Sequence, residues 1–189
     1  MHIIEISALN LDVYASIPIS FKVSKIFELS LSRAGLGGIE FHERDVPVYT
    51  KDYDSLGSPL TWPLEFDTGN WGLFLAMEGE NPVGGAAVAW NTAGVNMLEG
   101  RIDLSVLWDI RVIPGQRGRG IGKFLFNYAA SWSRSRGCRQ MKIETQNINV
   151  NACRFYAAMG AELGDIRRFA YWAEPAVSHE VQLNWYLAV

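Results

Sequence analysis

Apolar residues recur along this chain in two different periods, and the change between them divides it. The period is close to two in the first half. His2 to Ile6 reads as a strand, and Ile19, Phe21 and Val23 alternate before Ile26, Phe27 and Leu29–Leu31 cluster, so 17–31 is expected to be extended. Gly35, Gly37 and Gly38 break any helix, Phe41–Arg44 and Val46–Tyr49 can pair as short strands, and 52–70 reads as loop. A clearer meander follows, with strands at Gly72–Met77, Val83–Trp90 and Ile102–Val112. In the third, Ile102, Leu104, Val106, Trp108, Ile110 and Val112 share one face, and Asp103, Ser105, Leu107, Asp109 and Arg111 the other.

Beyond residue 120 the period lengthens. Ile121, Phe124, Leu125, Tyr128, Ala129 and Trp132 form one helical face, and Gly137 is the expected stop. Met141–Gln146 is a short strand. Asn147 or Asn149 can cap the next helix, whose apolar face is Ala152, Phe155, Tyr156 and Met159 and which ends at Gly160. Strands at 162–172 and 179–187 complete the chain. Strands first, then helices alternating with strands, predict an α/β (α+β) fold with a mixed, mostly antiparallel central sheet flanked by helices.

With 189 residues, nearly half of them hydrophobic, the chain is long enough for one domain with a sizeable core. No run reaches 18 apolar residues and no basic leader opens the chain, so a cytoplasmic, non-membrane protein is expected. Cys138 and Cys153 lack metal-ligand spacing and are expected to be free thiols; His2, His42 and His179 are scattered, so no metal is expected. The net charge of −3 conceals a division. Residues 1–80 hold five basic side chains against twelve acids, while 101–172 hold twelve against five. That suits an anionic cofactor on the second half and a cationic partner on the first; chance surface composition is the competing reading. Glu28, Glu40, Glu43, Asp45, Asp52 and Asp54 are candidates for such a partner, though most acids are simply solvated. Nothing points to nucleic acid, and surface aromatics leave room for a homodimer.

The stretch from Trp108 to Gly122 carries the chemistry. It reads as the end of a strand, a turn at Pro114-Gly115, a basic loop with Gly118, Gly120 and Gly122, and a helix start. Glycines let backbone N–H groups approach an anion, the helix terminus adds partial positive charge, and Arg117, Arg119 and Lys123 add whole charges. A pyrophosphate cradle follows. It is not a P-loop, because Phe124 follows Lys123 where that loop needs Ser or Thr; a dinucleotide fingerprint, with Glu144 as its distant acid, is the rival.

Arg117-Gly118-Arg119-Gly120-Ile121-Gly122 resembles the Arg/Gln-x-x-Gly-x-Gly/Ala loop of the GNAT N-acetyltransferases. Asn149, Ala152, Tyr156 and Gly160 are similar to that family's Asn-x-x-Ala-x-x-x-Tyr-x-x-x-Gly pattern, with Ala161 where an aromatic is common. The resemblance covers about 70–172. Ser20-Phe21, Phe27-Glu28, Trp108-Asp109-Ile110, Glu144-Thr145-Gln146-Asn147 and Tyr171 further resemble the streptothricin acetyltransferase branch. The resemblance implies a single acetyltransferase domain over 1–189, with 1–70 on the substrate side, 71–172 binding acetyl-CoA and 173–189 a closing strand. It implies that Arg117, Gly118, Arg119, Gly120, Ile121, Gly122 and Lys123 hold the pyrophosphate. Asn149, with Ala152 and Phe155, would meet the pantetheine arm, and backbone amides from Ile110 through Arg111 to Val112 would polarise the thioester carbonyl. Tyr156 would be the general acid.

The substrate so implied is a primary amine of a small cationic molecule, such as a streptothricin-like antibiotic. A protein N-terminus or lysine, or a non-catalytic acyl-CoA-binding module, are the alternatives. Such an amine has an unperturbed pKa of about 10.4 and must lose a proton before attack. Asp109 is the first candidate to take it and Glu144 the second, either being equally readable as the partner of an arginine such as Arg111.

Overall fold

The computed structural model describes residues 1–189. Seven strands, β1 (His2–Glu5), β4 (Gly72–Glu78), β5 (Asn81–Trp90), β6 (Leu104–Val112), β7 (Gln140–Gln146), β8 (Glu162–Arg167) and β9 (Gln182–Ala188), form one sheet in the order β1-β4-β5-β6-β7-β9-β8. A second sheet holds only β2 (Phe21–Leu31) and β3 (Ile39–Lys51). The helices are α1 (Leu11–Ala15), α2 (Trp62–Glu65), α3 (Ile121–Ser135) and α4 (Val150–Ala158). The mostly antiparallel sheet with flanking helices agrees with expectation.

By its internal packing the chain divides into two compact units: residues 1–21, 52–143 and 186–189 form one, and 22–51 with 144–185 the other. In the first unit β1, β4, β5 and β6 pair antiparallel, and β6 pairs parallel with β7. One sheet face is sealed by α1 and the 59–71 segment, where Leu11, Tyr14, Ile17, Trp62 and Trp71 pack against Leu73, Leu75, Ala87, Ala89 and Val106. Each fully buried large side chain there contributes about 1.5–3 kcal/mol. Gly85 permits the approach: a Cβ on it would stand 2.5 Å from the Tyr14 ring. α3 lies across β4, β5 and β6 on Ile121, Leu125, Phe126, Ala129 and Trp132. Phe124 and Tyr128, expected on that face, are instead exposed.

In the second unit β2 and β3 form a long hairpin turned at 32–38. The two short strands expected at 41–44 and 46–49 are one continuous strand that pairs with β2 rather than with itself. Pro47 is tolerated because each strand of a two-stranded sheet keeps a free edge. Asn147 ties this unit together: its backbone carbonyl accepts from Phe27 N and its side-chain NH₂ donates to Phe27 O, each at 2.9 Å, while its Oδ1 accepts from Val181 N at 2.8 Å. The buried face of α4 is Val150, Cys153 and Tyr156; of the predicted stripe of Ala152, Phe155, Tyr156 and Met159 only Tyr156 is buried and the other three are part-exposed. β8 ends at Arg167, short of the predicted 172, and turns occupy 168–179. Cys138 and Cys153 are free and buried; loss of hydration raises both thiol pKa values, that of Cys153 to about 11.

Two further differences have local causes. The first helix, at 11–15, has too few turns to show a period. The loop expected at 52–70 is organised by side-chain caps instead: Ser58 Oγ accepts from Leu60 N, and Asp67 Oδ1 from Gly69 N.

Candidate active site

The strand leading into the glycine loop is bulged. β5 and β6 pair Val88 with Leu107 but Ala87 with Asp109, so Trp108 is the extra residue. The bulge swaps faces. Leu104 and Val106 point with Asp109 and Arg111 toward α1, while Ser105 and Leu107 point with Ile110 and Val112 toward α3. The strict alternation expected over 102–112 is therefore corrected, and Ile102 lies exposed outside the strand. On its other edge β6 pairs with β7 only as far as Leu107 opposite Ile143. From Trp108 to Val112 no strand is paired on that edge, which leaves the main-chain N–H groups of Ile110 and Val112 without a strand partner there, while Arg111 faces β5.

The swap places Arg111 in a buried network. Its Nε and Nη2 grip Asp109 at 2.8 and 2.7 Å, Nη1 and Nη2 grip Asp54 at 3.1 Å each, and Nη1 also donates to Ile17 O at 3.0 Å. All five guanidinium N–H groups are thereby used. The Tyr14 hydroxyl donates to Asp109 Oδ1 at 2.6 Å, and its own pKa is raised well above the ordinary value by burial and by the Asp109 charge. Asp109 is 7% exposed and accepts three hydrogen bonds, two from a cation. The structure thus makes it the counter-ion of Arg111. Through these bonds it braces α1, the 52–54 segment and β6.

The loop itself is open. Gly118 and Gly120 adopt φ of +80° and +86°, and a Cβ on either would meet nothing within 4 Å. Gly120 is the N-cap of α3, and no side chain caps that terminus. The first-turn amides of Ile121, Gly122 and Lys123 therefore lie where a helix leaves its donors unsatisfied. The three cations differ in their duties. Arg117 donates to Val112 O, Ser20 O and Ile19 O at 3.0, 2.8 and 3.4 Å, so its charge meets only neutral carbonyls. Arg119 is held by Gln116 and by Glu78 at 3.2 Å. Lys123 is exposed, with no acid beside it. Open glycines, a bare helix terminus and uncompensated positive charge fit a pyrophosphate.

In the second unit the terminus of α4 is closed: Asn149 Oδ1 accepts from Ala152 N at 3.1 Å, leaving only the side-chain NH₂ to reach outward. Asn149 rather than Asn147 is the cap. Ala152 and Phe155 are part-exposed, and Tyr156 is buried with its ring against Phe155. Glu144, on β7, is half-buried. Its Oε1 accepts from Tyr171 and from Gln146 Nε2 at 3.1 Å, and its Oε2 from Gln182 Nε2 at 2.6 Å. Every donor is neutral, and no cation pairs with it. Gln146, Gln182 and Asn184 went unremarked as site residues in the sequence. The available signal was a set of polar side chains, Gln182 and Asn184, on one face of a strand whose other face is Leu183 and Trp185.

The glycine loop thus presents open backbone amides, and Glu144 a carboxylate with no cation beside it. An open phosphate loop feeding α3, behind a bulged strand with a bare edge, defines an acyl-CoA-dependent transferase. Residues 39–161 match the model of the Acetyltransferase (GNAT) family, and the chain belongs to that family. It is an acetyl-CoA-dependent N-acetyltransferase. A streptothricin acetyltransferase of Escherichia coli is 31% identical over 88% of this chain and 84% of its own length. One from Streptomyces lavendulae is 30% identical over 75% of this chain and 70% of its own. A crystallised Bacillus anthracis protein assigned as a streptothricin acetyltransferase, in complex with acetyl coenzyme A, is 29% identical with a TM-score of 0.75, covering 100% of this chain and 97% of that one. No helix here is long and apolar enough to cross a membrane.

Proposed function

We propose that the acceptor is a primary amine of a small polycationic molecule, specifically the β-lysine amine of a streptothricin-like antibiotic, and that acetylation confers resistance to it. The observation that carries this reading is the carboxylate of Glu144, held by three neutral donors and left without a counter-ion. A protein site of that kind favours an ammonium group. The names of the E. coli and S. lavendulae relatives supply the antibiotic class.

Bound acetyl-CoA supplies the activated acetyl thioester. Gly118, Gly120, Ile121 and Gly122 offer backbone amides to its pyrophosphate, with charge from Arg117, Arg119 and Lys123. The side-chain NH₂ of Asn149 and the flank of Ala152 and Phe155 meet the pantetheine arm. Of the main-chain N–H groups from Ile110 through Arg111 to Val112, those of Ile110 and Val112 lie on the unpaired edge of β6 and would polarise the carbonyl. Glu144 takes the proton from the acceptor ammonium, in place of Asp109. The Tyr156 hydroxyl gives a proton to the departing sulfur.

A thiol-release assay with acetyl-CoA and a panel of amines tests this. Turnover of streptothricin but not of peptides is expected; efficient peptide turnover would transfer the enzyme to protein substrates, and coenzyme binding without any turnover would leave a binding module. Tyr156→Phe is expected to lower kcat roughly 10- to 100-fold with coenzyme A affinity, measured by calorimetry, little changed. An unchanged kcat removes Tyr156 from the acid role.

A further inference from the structure

The reading of Glu144 as proton acceptor leaves open what holds it and what sets the pH at which it works. We infer that Tyr171 is its positioning residue: the hydroxyl, locked by Gln146, fixes one carboxylate oxygen by donating to it where no cation is paired.

The two side chains meet through a closed triangle. Gln146 Nε2 lies 3.1 Å from Glu144 Oε1 and 2.9 Å from the Tyr171 oxygen, and the Tyr171 hydroxyl donates to the same Oε1. The second oxygen is fixed separately by Gln182, whose Nε2 also lies 3.3 Å from Asn184 Oδ1. Asn184 in turn donates to Asp165 Oδ2 at 3.0 Å. The carboxylate therefore has one orientation, defined from three elements: β7 through Gln146, the 168–179 turns through Tyr171, and β9 through Gln182.

Tyr171 is directed inward while its neighbours are not. Phe169 and Trp172 in the same turn are 67% and 77% exposed, whereas Tyr171 is half-buried. A turn that exposes two large aromatic rings yet sends its phenol onto a carboxylate is organised by that hydrogen bond. The other charged groups around the pair are Glu180, which bears on Tyr171 and is itself paired with Lys51 at 2.6 Å, and Asp165 beyond Asn184. Neither Glu180 nor Asp165 can stabilise a second negative charge, so the hydroxyl and amide donors must do so. A hydrogen bond donated to the ionised form favours it, and losing the donor moves a carboxyl group toward retention of its proton. Burial and the Glu144 charge hold the Tyr171 phenol far above its ordinary range, so it remains a donor throughout.

The test follows Glu144 directly. In protein carrying ¹³C-carboxyl-labelled glutamate, its signal is identified by disappearance in Glu144→Gln and titrated in wild type, Tyr171→Phe and Gln146→Leu. An upward shift of about one pH unit is expected in Tyr171→Phe and a similar or smaller one in Gln146→Leu. The acid limb of kcat/KM should move by the same amount, with the rate recovering within a few-fold at pH above the limb. A purely structural role predicts a uniform loss at all pH with the limb in place. An unshifted Glu144 titration in both variants overturns the inference, whatever their activity. If instead the titration shifts while Glu144→Gln keeps the wild-type rate and limb, the proton-acceptor reading falls and Tyr171 keeps only its effect on an ionisation.

Discussion

Asp109 in the first unit and Glu144 in the second are two carboxylates with opposite surroundings. Asp109 meets a doubly bonded guanidinium and a phenol in near-complete burial. Glu144 meets a phenol and two amides, all neutral, and is half-exposed. The first is a finished ion pair, whose removal of one partner strands a buried charge. The second is an ion without its pair. A carboxylate serves chemistry when its environment fixes its orientation without consuming its charge.

Four measurements would break or sharpen that contrast, beginning with the largest effect. Glu144→Gln should lower kcat/KM about 10²- to 10³-fold and abolish the acid limb, with the melting temperature nearly unchanged. The sign follows from its role: the amide of the variant cannot accept a proton, so the step that needs an acceptor slows. Asp109→Asn should do the reverse. It is expected to cost about 3 kcal/mol of stability in a denaturant titration, while the pH limb stays in place. A shifted limb would return Asp109 to the base role. Tyr14→Phe removes one donor to the same carboxylate and should cost about 1.5 kcal/mol, with kinetics unaffected. The smallest effect is expected for Arg119→Gln, whose guanidinium is exposed and shared with Glu78: acetyl-CoA affinity should weaken only about two- to fivefold at low salt, and less at high salt.

The glycine loop was readable because its chemistry is local. Arg117 to Gly122, the helix beginning at Ile121 and the Gly137 stop are all consecutive in the chain, and the structure puts the α3 start where the pattern did. The faces of β6 were not readable. A one-residue bulge at Trp108 is decided by the partner strand, and it reverses which residues face α1. The same event sets Asp109 beside Arg111 in a buried ion pair. Glu144 was legible as an acid near the site, but its value depends on Tyr171, Gln146 and Gln182, which lie from 2 to 38 residues away. Tyr171 and Gln146 were noticed only through resemblance, because a hydrogen-bond triangle leaves no periodic trace. The loop at 52–70 escaped for a related reason: side-chain caps and the Arg111–Asp54 bond organise it, not a repeat of apolar positions.

The two buried thiols bear on how this enzyme is best observed. Chromogenic disulfide reagents, the usual reporters of liberated coenzyme, attack only thiolates they can reach. Cys138 and Cys153 offer neither access nor ionisation near neutrality, so the colour that develops belongs to the product alone. Later labelling of those same sulfurs, minutes into an assay or on warming, would time the moments at which the interior opens.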